Sequence, residues 1–141
     1  MDAKQFLIIA KYLSQHRGAS EASYRSAISR AYYACYISMR DHVYDKFKGN
    51  PLLDKCKDRG NIGHTTLWKF FLGGSKHAKQ LGYLGGSLHG NRIKADYDMT
   101  QTVEQGDAET AVKTADKFFS TFSTIPEIDI VNATNHYLKQ L

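Results

Sequence analysis

Twenty-seven residues, from Glu21 to Phe47, pass without a glycine or a proline, and this run constrains the fold more than any other part of the chain. Ser20 stands where an N-cap residue is needed, and Gly49, Asn50 and Pro51 close the exit, so the run predicts one long helix. Small and aromatic residues at 24, 27, 28, 31, 34, 35 and 38 form one helical stripe, and Tyr32, Tyr33, Tyr36, Ile37, Met39, Val43 and Tyr44 cover much of the remaining circumference. A helix apolar nearly all round packs on more than one side. Alanines at 27, 31 and 34 let a neighbouring backbone come close, and each tyrosine brings apolar area with a hydroxyl that needs a partner. The helix is therefore expected at the centre of a bundle.

The flanking segments supply its neighbours. Residues 3–16 carry an amphipathic stripe of Phe6, Ile9, Ala10 and Leu13 behind an Asp2/Gln5 pair spaced as a capping box, and Arg17-Gly18 stops them. The short connection onward favours an antiparallel pair. Residues 49–63 mix Gly, Pro and charge without periodicity and predict a surface loop. A shorter helix follows, capped by His64 or Thr65, with Leu67, Phe70 and Phe71 inward and Gly73-Gly74 at its end. From Lys76 to about Gln105 the positions Leu81, Leu84, Leu88, Asn91, Ala95 and Met99 recur at helical steps. The glycines at 82, 85, 86 and 90 should each cost roughly 1 kcal/mol there, which predicts a kink or a later start. Gly106-Asp107 opens the last strong helix, with Ala111, Ala115, Phe118, Phe119 and Phe122 on one face. The expectation is an all-α bundle over residues 1–125 and a tail over 126–141, read as a strand-like piece ending in a short helical turn.

Composition excludes several classes. At 141 residues with 42% hydrophobic content the chain can bury a single-domain core. No run approaches the roughly eighteen apolar residues of a membrane helix, and residues 1–13 lack a basic n-region and a cleavage site, so no membrane role and a cytoplasmic location are expected. Two cysteines in unrelated settings argue against a disulfide framework. The glutamates at 21, 104, 109 and 127 have no His three residues on, and no His-x-x-x-His or Cys-x-x-Cys occurs, so neither a metal nor a cofactor is expected. Nor do the glycines stand in a strand-to-helix context that would cradle a nucleotide phosphate, and no Gly-x-Ser-x-Gly elbow is present. The net charge of +5 permits a polyanionic partner.

Arginine-centred clusters remain. Arg92, Asp96 and Tyr97 are spaced to approach one region of a helix surface. A guanidinium there can clamp a phosphate while Tyr or Asp orients a hydroxyl or exchanges a proton; an ordinary i, i+4 ion pair fits the same spacing. Arg59 and His64 are five apart, with His64 at the start of a helix whose dipole disfavours the imidazolium. Arg25 and Arg30 lie among tyrosines, where stacking and phosphate binding are both open to them.

In order, Ser29-Arg30-Ala31-Tyr32-Tyr33-Ala34, His64 with Phe70 and Phe71 behind it, and Arg92 to Asp98 make the chain resemble the HEPN family (higher eukaryotes and prokaryotes nucleotide-binding), in particular its small stand-alone prokaryotic members. The resemblance spans roughly residues 3–122. It implies an up-and-down bundle of four to five helices that homodimerises and handles RNA or a nucleotide. Many members are metal-independent endoribonucleases of toxin-antitoxin or antiviral defence systems, and small ones often work beside a nucleotidyltransferase. The family's usual signature places His four to six residues after a catalytic Arg; here Asp96 and Tyr97 follow Arg92. The catalytic candidates are Arg92, Asp96, Tyr97 and His64, and the substrate-binding candidates are Arg30, Tyr33, Arg59 and Asn91. The alternative is a catalytically silent module that binds nucleotides, nucleic acid or a protein partner, with Tyr97 as a target for modification.

Overall fold

A computed structural model describes residues 2–141, so residue 1 of the expected bundle lies outside it. The fold is all-α. The helices are α1 (Lys4–Gln15), α2 (Glu21–Lys46), α3 (Pro51–Asp54), α4 (His64–Leu72), α5 (Lys76–Tyr97), α6 (Gln105–Thr124) and α7 (Glu127–Leu138), with a two-stranded hairpin of β1 (Lys57–Asp58) and β2 (Asn61–Ile62) before α4. The five helices read from periodicity all form, and α3 and α7 join them.

Helix α2 is central, packed against α1, α5 and α6. Ala27, Ala31 and Ala34 are fully buried together with Tyr32, Cys35, Met39 and Val43. Helix α4 packs on α5, and α7 covers the other side of α4. Among the described residues no helix is long and apolar enough to cross a membrane.

Local chemistry departs from the sequence-based expectation at several ends. Ala3, not Asp2, occupies the N-cap position of α1, and Asp2 accepts from the Lys4 N–H instead. Ser20 is the N-cap residue of α2 but bonds no helix N–H; its hydroxyl meets Ser23. At α4 the N-cap is Gly63 and His64 is the first helical residue. Helix α6 starts at a reciprocal capping box of Glu104 and Asp107, so Asp107 is its third residue rather than its cap.

Residues 49–63 are structured. Pro51 sets φ for the first position of α3, Asn50 Oδ1 accepts from the Leu52 N–H at 2.9 Å, and Leu53 and Ile62 are buried. Arg59 and Gly60 turn the hairpin with φ of 54° and 85°.

Helix α5 runs unbroken through its glycines because two of them face α4. A Cβ on Gly85 would lie 2.2 Å from the Trp68 ring, and one on Gly82 would lie 2.9 Å from the Trp68 carbonyl oxygen. The lost helix propensity is exchanged for a close helix–helix approach. The helix ends at Tyr97, short of 105, because Arg25 takes over the acceptors at its end. The guanidinium donates to the carbonyl oxygens of Lys94, Ala95 and Asp98 and to that of Gln101 in the following loop. Asn91, inside the helix, and Met99, beyond its end, face solvent rather than the core. The tail, expected as a strand-like piece and a turn, is the 12-residue helix α7, with Ile130, Ala133, Thr134 and Leu138 buried.

Candidate functional site

One polar cluster interrupts the apolar core where α2, the N-terminus of α4 and the middle of α5 meet. Its base is a chain of buried donors. The Trp68 indole N–H donates to the Tyr32 hydroxyl at 3.2 Å, and that hydroxyl lies 2.7 Å from His64 Nδ1. Tyr32 is fully buried, and burial pushes its phenol well above the ordinary tyrosine range. Its hydrogen has one acceptor within reach, the His64 nitrogen. Hydrogen-bond accounting therefore makes Tyr32 the donor and His64 Nδ1 the acceptor, which leaves the proton of the neutral ring on Nε2. The Tyr36 ring lies against the His64 ring, centroids 4.0 Å apart and planes tilted by 32°, and its hydroxyl donates to the Ile62 carbonyl oxygen at 2.6 Å, tying the hairpin to the site.

His64 in turn stacks on His89 of α5, with ring centroids 5.3 Å apart and planes 11° apart. Burial, then His89, Arg92 and Arg40, hold the His64 imidazolium down to about 4. Burial and the Arg92 charge lower His89 as well. Two stacked imidazoles are thus neutral at pH 7.

Arg92 lies one helical turn beyond His89. Its Nε donates to Asp96 Oδ2 at 2.8 Å and its Nη2 to the Tyr33 hydroxyl at 2.7 Å, and the Tyr97 hydroxyl is a further acceptor at 3.4 Å. The guanidinium lies over both tyrosine rings, 5.0 and 5.4 Å from their centroids. Ser29 donates to the same Asp96 oxygen at 3.3 Å. A cation held on several sides in this way is preorganised for an incoming anion.

Of the residues singled out in the sequence, Arg92, Asp96, Tyr97, Tyr33 and His64 come together. Arg30 borders this group, lining a cleft with Ser29, Tyr33 and Asp96 while its guanidinium lies 5.5 Å over Phe6. Two do not join. Arg59 turns the exposed hairpin and makes no hydrogen bond or ion pair with any of the cluster residues. Asn91 points away, into a groove with Ile28, Lys94 and Thr110. The sequence reading missed His89, which sits three residues before Arg92 and seven before Asp96 and so shares their helix face. It also missed Arg40, whose guanidinium lies 5.6 Å over the Tyr36 ring.

Among the described residues no group of three or more His, Cys, Asp or Glu is arranged to hold a metal ion. A scan against family models, a search of curated proteins and a search of solved structures each return no match to this chain.

Proposed function

We propose that the chain is a HEPN-like RNA-handling protein and that the Arg92 cluster cleaves a phosphodiester without a metal. The observation that carries this is a braced guanidinium beside two stacked, neutral imidazoles. Arg92 binds the non-bridging phosphate oxygens, with Arg40 adding positive charge from α2. His89 accepts the ribose 2′-hydroxyl proton as the 2′ oxygen attacks phosphorus. The bond from phosphorus to the 5′ oxygen breaks, leaving a 2′,3′-cyclic phosphate and, with a proton taken from solvent water, a 5′-hydroxyl. His64, its Nδ1 occupied by Tyr32, offers Nε2–H to the developing charge. Asp96 and Tyr33 orient Arg92.

The chain would then act in the cytoplasm, as a defence nuclease or as the toxin of a toxin-antitoxin pair. A second copy would cover the exposed Ile93, Tyr97 and Met99 beside the cluster. The test is cleavage of mixed RNA in EDTA by wild type, Arg92→Ala and His89→Ala. Chelator-resistant cleavage that leaves cyclic phosphate ends and is lost in both variants supports the assignment, whereas equal cleavage by Arg92→Ala removes it.

One observation favours a second function, that of a silent module modified by a nucleotidyltransferase partner. Tyr97 is 70% exposed, with its hydroxyl beside a guanidinium that could position an incoming nucleotide phosphate. An adduct on Tyr97 by mass spectrometry after co-expression with such an enzyme is the expected sign; an unmodified chain argues for the nuclease.

A further inference from the structure

His89 belongs to the cluster and also lines the end of a groove between α4 and α5. This groove, about 310 Å³, runs past Ser87, Gly86 and Lys69 to Tyr83. Tyr83 also borders a second groove of about 530 Å³, formed with Lys76, Lys79 and Lys117. The two hollows thus share one wall residue. His89 and Lys76 are thirteen residues apart on the same helix, about 20 Å at 1.5 Å per residue.

Three features suit this path to one occupant. No carboxylate lines either groove. None of Lys69, Lys76, Lys79 and Lys117 forms an ion pair among the described residues. Tyr83 is 65% exposed, and nothing lies within 4 Å of where a Cβ on the adjacent Gly86 would be, so the ring has an open face beside bare backbone. Unpaired cations along a groove, with an exposed aromatic ring midway, match the way single strands are held: phosphates on lysines and a base stacked on the ring. A duplex, its bases already stacked on each other, cannot use Tyr83.

We propose that the two grooves form one track for single-stranded RNA, with phosphates on Lys69, Lys76, Lys79 and Lys117 and a base on Tyr83, leading into the cluster at His89. The track deepens the ribonuclease assignment above by giving the substrate class and its direction, and it rests on that assignment only for the chemistry at its end.

Binding separates the two ideas. Anisotropy of a fluorescein-labelled, non-cleavable 2′-O-methyl RNA decamer is followed from 50 to 200 mM salt with the full chain. Replacing Lys76, Lys79 and Lys117 by Ala is expected to flatten the slope of log affinity against log salt by about 2, near 0.7 per lost phosphate contact. Tyr83→Ala is expected to weaken binding about tenfold with the slope unchanged, and Tyr83→Phe to bind as wild type. All four positions are on the surface, and melting curves verify that the variants fold. A dinucleotide, too short to reach Lys76, should be cleaved equally by wild type and the lysine variant. Loss of dinucleotide cleavage in wild type removes the nuclease and leaves the track standing on binding. The track is overturned if wild type does not bind the decamer, if the variants bind it unchanged, or if an RNA hairpin or an acidic decapeptide binds more tightly.

Discussion

Tyr32 decides the state of the site more than the residues that would touch substrate. Its hydroxyl has two neighbours, the donor-only indole of buried Trp68 and a ring nitrogen of half-buried His64, and satisfying both fixes the His64 tautomer. Tyr32→Phe keeps the ring packing but leaves the Trp68 N–H and the His64 Nδ1 without a partner, so it should cost about 1–3 kcal/mol in chemical denaturation. The proton on His64 should also redistribute between its two nitrogens, which ¹⁵N NMR of the imidazole reads directly. The stacked histidines give a pH signature as well. With its folded pKa lowered to about 4 from an ordinary value near 6.5, His64 binds fewer protons folded than unfolded across that interval. The stability it contributes is present above pH 6.5 and is lost as pH falls toward 4, with His89 acting in the same direction. Melting temperature should therefore drop over this window in wild type and drop less in His64→Gln. The acid limb of RNA cleavage should lie below pH 6.5, since the base must be neutral. Arg92, Asp96 and Tyr97 could be found from spacing, because one helix presents them together. His89 was legible by the same rule, since it precedes Arg92 by one helical turn, but the family signature places its histidine after the arginine. Tyr32, Tyr36 and His64 meet across thirty residues of chain, which no local periodicity reports.

At the scale of elements, the glycines of α5 show why propensity misjudges this helix. Gly85→Ala would gain about 1 kcal/mol of helix propensity, yet its methyl would press into the flat of the Trp68 ring, and over-packing of this kind costs about 1–3 kcal/mol. Gly90 has nothing within 4 Å of its Cβ position, so Gly90→Ala keeps the propensity gain. Denaturant midpoints should move in opposite directions for the two variants, and a shift in the same direction would contradict the packing of α4 on α5. The kink expected from these glycines does not form, because the close approach of α4 offsets their local cost. Helix α6 was readable because its apolar face follows a clear period, and α2 because no Gly or Pro interrupts a long run that is apolar nearly all round. The hairpin was not, because its signal is a backbone conformation. Arg59, at φ 54°, occupies a left-handed position that Asn tolerates better. Arg59→Asn should raise stability by up to about 1 kcal/mol and leave RNA cleavage intact, which separates the hairpin turn from the substrate-binding role expected of Arg59.

For the molecule as a whole, the site depends on a helix that sequence reading placed outside the bundle. Helix α4 carries His64 at one end, and its outer side is closed by α7, whose Ile130 and Ala133 are buried and whose Tyr137 ring lies 4.8 Å from that of Phe70 at a tilt of 50°. Pro126 ended the preceding pattern, and the alternation Ile128-Asp129-Ile130 carries the period of a strand, so burial of a helix against α4 could not be foreseen. Helix α7 makes no hydrogen bond to the described residues of the polar cluster; it packs on α4 and α5, and its Glu127 pairs with His42 of α2. Ile130→Ala removes a fully buried side chain from this contact and should destabilise the fold by about 2–5 kcal/mol. A loss confined to stability would leave cleavage per folded molecule unchanged at low temperature. If the stacked pair of His64 and His89 depends on how closely α4 is pressed, cleavage should fall further than the folded fraction, and the fall should match that of Gly85→Ala, which separates the same two helices from the opposite side. Activity normalised to folded protein across both variants therefore measures whether the imidazole stack is the working unit. Matching losses tie catalysis to the α4–α5 contact, while full activity in both places the chemistry on Arg92 and its α2 partners alone.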